Sequence, residues 1–224
     1  PSETGAVAVA LLAALDGSVS APAIADAKLK AGIAKAAAEL KANSGAALVV
    51  CGSNDVNVQI IVNAINNAIG AYGKTIDWSV TSNYRQGIDK DLVDLVAQME
   101  GGQVGALFIA GANPAYNAKA FTDGVKKVKL SVSFAGKMDE TTELCNYIVP
   151  THHYLESWGD AEPKSGLISF LQPTIYPLFK TRPFQTSLLK WSGNATDYDT
   201  YYKNYWTTKL GSLEAFDKVL QDGV

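Results

Sequence analysis

The sequence predicts an α/β protein with a doubly wound, mostly parallel sheet and a helical, aromatic-rich C-terminal cover. Three observations predict it. Short apolar runs, AALVVC at Ala46–Cys51 and GALFIA at Gly105–Ala110, have the texture of strands buried on both faces. Segments with apolar residues at helical spacing separate them, which makes βαβ units with right-handed crossovers. After Pro173 the strand texture stops and aromatic residues crowd the chain.

Composition narrows the function classes. With 47% hydrophobic and 18% charged residues over 224 positions, the chain can bury a sizeable core and is not disordered. A net charge of −3 argues against a general nucleic-acid surface. The one basic cluster, Lys126, Lys127 and Lys129, reads as a solvated helix end. Cys51 and Cys145 form no CxxC, so this chain alone builds neither an iron–sulfur cluster nor a structural zinc site. Both read as buried free thiols. Gly5–Leu15 is the most apolar run, but it is too short to span a bilayer and lacks the basic start of a signal peptide. Pro1 begins in mid-pattern, so a segment of a longer protein is expected.

The elements follow in order. Gly5–Leu15 predicts a short buried helix. Ser20 predicts a cap for a second helix starting at Pro22 and ended by Asn43-Ser44-Gly45. The strand Ala46–Cys51 turns through GSND into a helix capped by Asn54 or Asp55. Its buried stripe is Ile60, Ile61, Ala64, Ile65, Ala68 and Ile69, and Gly70 closes it. Thr75–Val80 predicts a short strand, and Asp89–Met99 an amphipathic helix ended by Gly101-Gly102. The strand Gly105–Ala110 leads through GANPAYN to a helix over Ala118–Val128. Leu130–Phe134 and Tyr147–Val149 predict the last strands. Helices are predicted at Phe184–Trp191, Tyr198–Lys209 and Leu213–Leu220, the last capped by Ser212. The domain reading is 1–175 for the α/β part and 176–224 for a helical extension.

In such sheets ligands sit beyond the carboxyl ends of the strands. The loops Gly52–Asp55, Asp77–Arg85, Gly111–Asn117 and Ala135–Glu140 are expected there, with the long loop after Val149 beside them. That loop, Asp139–Pro173, holds the chain's two histidines. His152, His153 and Glu156 spell HHxxE, which suggests either a metal site or hydrogen-bonded loop histidines. Asp139, Glu140 and Glu143 suit the start of a short helix, where carboxylates meet the positive dipole end. The Gly52–Asp55 and Gly111–Pro114 turns offer backbone amides to an anion, but neither is GxGxxG or GxxxxGK[ST]. No GxSxG or Cys–His signature supports nucleophilic catalysis.

The stretch DETTELCNYIVPTHHYLESWGDAEPKSG resembles a segment of molybdopterin oxidoreductase large subunits, the DMSO reductase and formate dehydrogenase family. That segment reads roughly TETA-x-x-ADVVLP, then E-x-x-GTFTN-x-EGR-x-Q. The matching positions are Glu140, Thr141, Thr142, Asn146, Tyr147, Ile148, Val149, Pro150, Glu156, Gly159 and Gly166. LFIAGANPAYN resembles the family's GxNP loop through Gly111, Asn113 and Pro114. GAALVVCGSND resembles its nucleotide-side βα unit. The resemblance covers roughly residues 31–172. It implies that family's Rossmann-like or flavodoxin-like fold, with Gly52, Ser53, Asn54, Gly111, Asn113, Pro114, Glu140 and Gly166 as vestigial cofactor-binding positions.

The departures shape the functional expectation. Ser165 stands for the family's acid, Leu167 for its Arg, Ser169 for its Gln and Pro163 for an amide side chain. Losing an Arg removes a planar donor suited to phosphate. ESWGDAEPKSGLISFLQPTIYPLF, followed by TRPFQ, is closest to the cofactor-less version of the family in the iron–sulfur subunit of bacterial alternative complex III, a quinol oxidoreductase. The resemblance implies a cofactor-less scaffold in a periplasm-facing, membrane-associated electron-transfer complex, itself neither catalytic nor inserted in the membrane. Other domains and subunits would carry iron–sulfur clusters and haems. Two alternatives stand beside it. One is a genuine molybdopterin-guanine-dinucleotide domain using the Gly52–Asp55 and Gly111–Asn117 loops. The other is a hydrolase using His152, His153 and Glu156. The long loop is expected to be packed at the sheet's carboxyl edge without a metal.

Overall fold

Side-chain caps start α-helices at Asp26, Asp55, Asp197 and Ser212. The computed structural model describes residues 3–223, a mixture of helix and sheet. They fall into two compact units that divide between Thr81 and Ser82.

In the first unit α1 (Thr4–Leu15) packs on α2 (Ala27–Ala42) and α3 (Val56–Ala68). Helix α1 is where the apolar run places it, but only Ala10 and Leu12 are fully buried. Helix α2 starts later than the Ser20–Pro22 signal. The Asp26 carboxylate accepts the Lys28 and Leu29 N–H groups at 2.7 and 3.1 Å, so two orphan amides are satisfied there instead. Asp55 caps α3 in the same way through Asn57 and Val58. The buried stripe of α3 is rotated from expectation. Val62, Ile65, Asn66 and Ile69 are buried, while Ile60 and Ala68 face outward.

Two expected strands are absent here. Ala46–Cys51 makes no ladder, and Leu48 and Val50 are exposed, Val50 by 80%. Side chains satisfy its backbone instead. Asn66 accepts from Val49 N–H at 2.9 Å and donates to Val49 C=O at 2.8 Å. Thr75 Oγ1 donates to Ala47 C=O, and Gln59 Nε2 to Cys51 C=O. Thr75–Val80 fails as a strand because the Ala71 carbonyl gathers the N–H groups of Lys74, Thr75 and Ile76 into a tight turn. Asp77 then folds Ser79 back onto its carboxylate.

In the second unit the parallel pairing appears. β1 (Ala106–Ile109), β2 (Leu130–Ser133) and β3 (Tyr147–Ile148) lie in the order β1-β2-β3, with Ile109 opposite Ser133 and Ser133 opposite Ile148. β1 is less buried than its sequence suggests, since Phe108 is exposed and only Ile109 is fully enclosed. Helix α4 (Asp89–Glu100) packs on α6 (Lys119–Val125), with the four-residue α5 (Pro114–Asn117) before α6. Their core is Val96, Met99, Ile109, Phe121, Val125 and Val128. Gly124 permits this approach, because a Cβ there would lie 3.2 Å from Met99 Cε.

The long loop is not purely irregular. β4 (Gly159–Lys164) and β5 (Leu167–Leu171) form an antiparallel hairpin, with its register shift at Glu162-Pro163, where the proline has no N–H for the ladder. Helices α7 (Phe184–Trp191), α8 (Tyr198–Leu210) and α9 (Leu213–Asp222) follow and belong to the same compact unit as the sheet. Asp197 caps α8 and Ser212 caps α9. Tyr202, Trp206 and Phe216 form a second core against Trp158, Ile168 and Phe170. Each polar tip is satisfied. Tyr202 OH donates to Gly159 C=O at 2.7 Å, and Trp206 Nε1 to Asp160 Oδ2 at 2.9 Å. No helix among the described residues is long and apolar enough to cross a membrane.

Two stability outcomes follow from these cores. Trp206→Ala empties the α8–hairpin core and is expected to cost about 3–5 kcal/mol in denaturant unfolding. Asn66→Ala leaves both polar groups of Val49 without their partner and is expected to cost about 1–3 kcal/mol in the same measurement.

Candidate functional site

The matched motif positions at the carboxyl end of the parallel sheet converge on one hydrogen-bonded joint. β1 runs out through Gly111, at φ +66, to Asn113 and Pro114, which open α5. β2 runs out through Ala135 to Asp139, Glu140 and Thr141. Asn113 binds the two loops together. Its Nδ2 donates to Glu140 Oε2 at 2.7 Å, and its Oδ1 accepts the Thr141 hydroxyl at 2.7 Å and the Thr141 N–H at 3.2 Å. Thr141 Oγ1 in turn accepts the Ala115 N–H at 3.0 Å, and Thr141 is buried. Three of the four hydrogen-bonding positions of Asn113 are therefore engaged inside the protein.

The neighbouring carboxylates serve the same joint. Glu140 is exposed, and its hydrogen bond from Asn113 holds its carboxyl below the usual carboxylate range. Asp139 is held low by Thr142, whose N–H it accepts at 2.8 Å at the start of the short 3-10 turn Thr142–Leu144. Thr142 then meets Ser133 on β2 through a buried hydroxyl pair at 2.8 Å. Asn146 clasps Ser131 at 2.8 and 2.9 Å before β3 begins. These groups orient loops on the strand ends. Burial pushes the Cys145 thiol up, and its sulfur donates to Thr141 C=O, so it behaves as a packed thiol.

The other motif positions lie elsewhere. Gly166, at φ +81, makes the hairpin turn and donates its N–H to Glu162 Oε1 at 2.7 Å. Gly52, Ser53 and Asn54 belong to the first unit. There the Gln59 amide reaches the carbonyls of Cys51 and Ser53, and Asp55 takes the first free amides of α3. The place where an anion would sit on that helix end already holds the protein's own carboxylate.

His152 and Glu156 line a cleft of about 590 Å³ with the segment Pro173–Pro177, Arg182, Pro183, Thr186 and the start of α8. Both side chains are largely enclosed, 11% and 6% exposed. His152 Nδ1 lies 2.6 Å from Thr181 Oγ1 and 3.9 Å from Glu156 Oε2. Glu156 accepts the His153 N–H on one oxygen and the Leu178 N–H on the other, both at 2.9 Å. His153 Nδ1 accepts the Leu155 N–H, which completes a capping box with Glu156. Each member of HHxxE thus has a structural partner. Among the described residues no three His, Cys, Asp or Glu side chains are placed to hold a metal ion together.

Sequence reasoning missed the far wall of this cleft, formed by Arg182, Thr186, Asp197, Tyr198 and Asp199. The proline spacing Pro173, Pro177, Pro183 was the available signal, since it marks a non-helical strap. Burial raises the Asp199 carboxyl, helped by the Asp197 charge, and pushes the Tyr198 phenol up to about 12.

The two amides on Glu156 hold its carboxyl below its ordinary value of 4.5. A depressed folded value stabilises the protein above the unfolded value, and that stabilisation is lost as pH falls through the folded value. Glu156→Gln keeps one acceptor oxygen. It should therefore melt below the wild type at neutral pH, with the gap closing as the pH drops below about 4.5. Melting curves of both proteins across that range check it.

No protein-family model matches the chain. Over 95 residues it is 32% identical to the menaquinone reductase molybdopterin-binding-like subunit of Nitratidesulfovibrio vulgaris (strain Hildenborough). That stretch is 39% of this chain and 14% of that protein, so the chain matches a small part of the relative's length. The likeness supports kinship with molybdopterin-oxidoreductase-like proteins at most, the broad family that the Glu140–Pro150 and Gly111–Pro114 motifs resemble.

Proposed function

We propose that this chain is a molybdopterin-oxidoreductase-like portion of a respiratory electron-transfer subunit and acts as a scaffold and docking surface without holding a pterin cofactor itself. Its three parallel strands would be part of a doubly wound sheet. In this reading the parent protein joins other subunits of a quinol-linked, membrane-associated complex on the periplasmic side, and iron–sulfur clusters lie outside this segment. The similarity to the menaquinone reductase molybdopterin-binding-like subunit supports the class of protein.

The observation that carries the cofactor-less reading is the fate of the motif side chains. Asn113, Glu140 and Thr141 bond to one another. Asp55 occupies the amides of α3. The hairpin that carries Pro163, Ser165, Leu167 and Ser169 places no Arg, Asn or Gln there, and Asp160 instead meets Trp206 of α8. A pterin dinucleotide carries a pyrophosphate and a polar bicyclic ring, so its holder needs free donors. The residues present here do not fit it.

Metal and pterin analysis of the purified parent protein is expected to find no molybdenum or tungsten assigned to this portion, and stoichiometric metal with pterin bound to it would overturn the reading. Calorimetry with GDP is expected to give no binding heat at about millimolar concentration, a Kd level worth only about −4 kcal/mol. Asn113→Ala should unlock the joint, costing about 1–3 kcal/mol of stability and returning the Glu140 carboxyl toward its usual range. Denaturant unfolding and carboxyl NMR titration check both parts. An Asn113→Ala protein of unchanged stability would remove the structural role given to that side chain.

A further inference from the structure

The strap Thr174–Pro183 crosses the surface as a non-helical segment that is pinned underneath and apolar on top. Thr174 and Ile175 donate their N–H groups to Leu155 C=O at 2.8 and 3.1 Å. Leu178 N–H goes to Glu156, Thr181 Oγ1 meets His152, and Phe184 N–H goes to Thr151 Oγ1 at 3.1 Å. Between these pins Tyr176, Leu178 and Phe179 project into solvent, 91%, 72% and 77% exposed. Water does not favour three large apolar side chains side by side on a fixed backbone.

Along this stretch of the sequence the charge is one-sided. From Pro163 to Thr196 the chain has no Asp or Glu, yet it carries Lys164, Lys180, Arg182 and Lys190 within a molecule of net charge −3. Lys180 and Arg182 follow directly after the apolar tip, and among the described residues no ion pair or hydrogen bond engages either head group. Three acids line the cleft beside the strap: Glu156 takes two backbone amides, Asp197 caps α8, and Asp199 is exposed at the start of that helix.

We propose that this strap is a peripheral docking tip for a bilayer surface rich in anionic lipid. Leu178, Phe179 and Tyr176 enter the boundary between head groups and acyl chains, and Lys180 and Arg182 sit on lipid phosphates with their stems along the apolar tip. A protein interface is the weaker match, because Lys is depleted from interface cores. The pins on Leu155, Glu156 and His152 hold the tip in its docking shape beforehand, so little ordering cost remains. Nothing inserts across the bilayer. The proposal stands on strap geometry and charge, independent of the functional reading above.

Vesicle cosedimentation of the purified chain tests it, with phosphatidylglycerol–phosphatidylcholine vesicles beside phosphatidylcholine alone. Partitioning to the anionic vesicles is expected to exceed that to the neutral ones. Lys180→Gln with Arg182→Gln should lower it about 30-fold and remove the preference, as should about 0.5 M salt. Leu178→Ser with Phe179→Ser should lower partitioning to both vesicle types by about tenfold or more. Lys28→Gln with Lys30→Gln, on α2, should change nothing, and all variants should melt with the wild type. Failure of the wild type to partition, or partitioning that the strap variants leave unchanged, would overturn the proposal. So would self-association in sedimentation that the strap variants abolish, since the tip would then be a contact between copies of the chain.

Discussion

Glu156 organises the C-terminal half of the second unit through an elementary limit on backbone chemistry. A segment interrupted by prolines cannot build a regular ladder for its amides; within the strap after Pro173 Thr181 N–H reaches Phe179 C=O, and other amides borrow acceptors from elsewhere. Glu156 supplies one of them. One oxygen caps its own short turn at His153 and the other takes Leu178, so a single carboxylate fixes both sides of the cleft. His152 adds the Thr181 contact one turn back. With those bonds in place the chain arrives at Phe184 in position to start α7, where Thr151 receives its first amide. The HHxxE run, for which the sequence left a metal site and hydrogen-bonded loop histidines open, is a hydrogen-bonded clasp, and its residue types serve that task well. A carboxylate can accept several N–H bonds, and an imidazole nitrogen can complete a capping box.

The helices were readable because their signals are local. Asp55, Asp197 and Ser212 are caps that work through one or two amides within three residues, and glycines at the ends supply positive φ. The unexpected Asp26 start on α2 follows the same rule, with the stronger acceptor prevailing over Ser20. Strands were less readable because an apolar run does not name its partner. Leu130–Ser133 pairs on both sides, while Ala46–Cys51, the more apolar run in sequence, satisfies its backbone through Asn66, Thr75 and Gln59. Buried Asn66 was invisible to a hydrophobic-stripe argument, which has no place for an amide on the inner face. The hairpin Gly159–Leu171 was missed because GDAEPK shows no alternation and contains a proline.

The sequence motifs marked residues that meet in the structure, and the bonds those residues make were not legible in it. The Asn113 and Glu140 motif positions do meet, two loops apart in sequence, and the joint they make is tight. Motif matching could not say that the Asn113 amide spends most of its hydrogen-bonding capacity on Glu140 and Thr141, because that depends on Thr141 being buried beside it. The hairpin tells a parallel story. Leu167 and Ser169 lack the donors of the resembling segment, and the residues beside them have acquired a packing task, with Gly159 and Asp160 receiving Tyr202 and Trp206. A loop whose polar groups are spent on an adjacent helix gains rigidity and gives up freedom to bind.

The aromatic-rich C-terminal region separates into two populations by a physical criterion that composition cannot express. Tyr202 and Trp206 recur four residues apart on α8, so they share one face of the helix and meet Phe216 from α9. Their polar atoms find acceptors on the hairpin, so burying them leaves nothing unsatisfied. Lys203 covers Trp158 at 4.9 Å and closes the rim of that cluster. Tyr176 and Phe179 lie on proline-interrupted chain with no helical face to share. Their backbone pins hold that chain flat on the cleft wall, and the side chains are left outward. The same residue types therefore build a core where the backbone is helical and a surface feature where prolines forbid a helix. Pro173, Pro177 and Pro183 decide between the two outcomes, while the aromatic residues themselves do not.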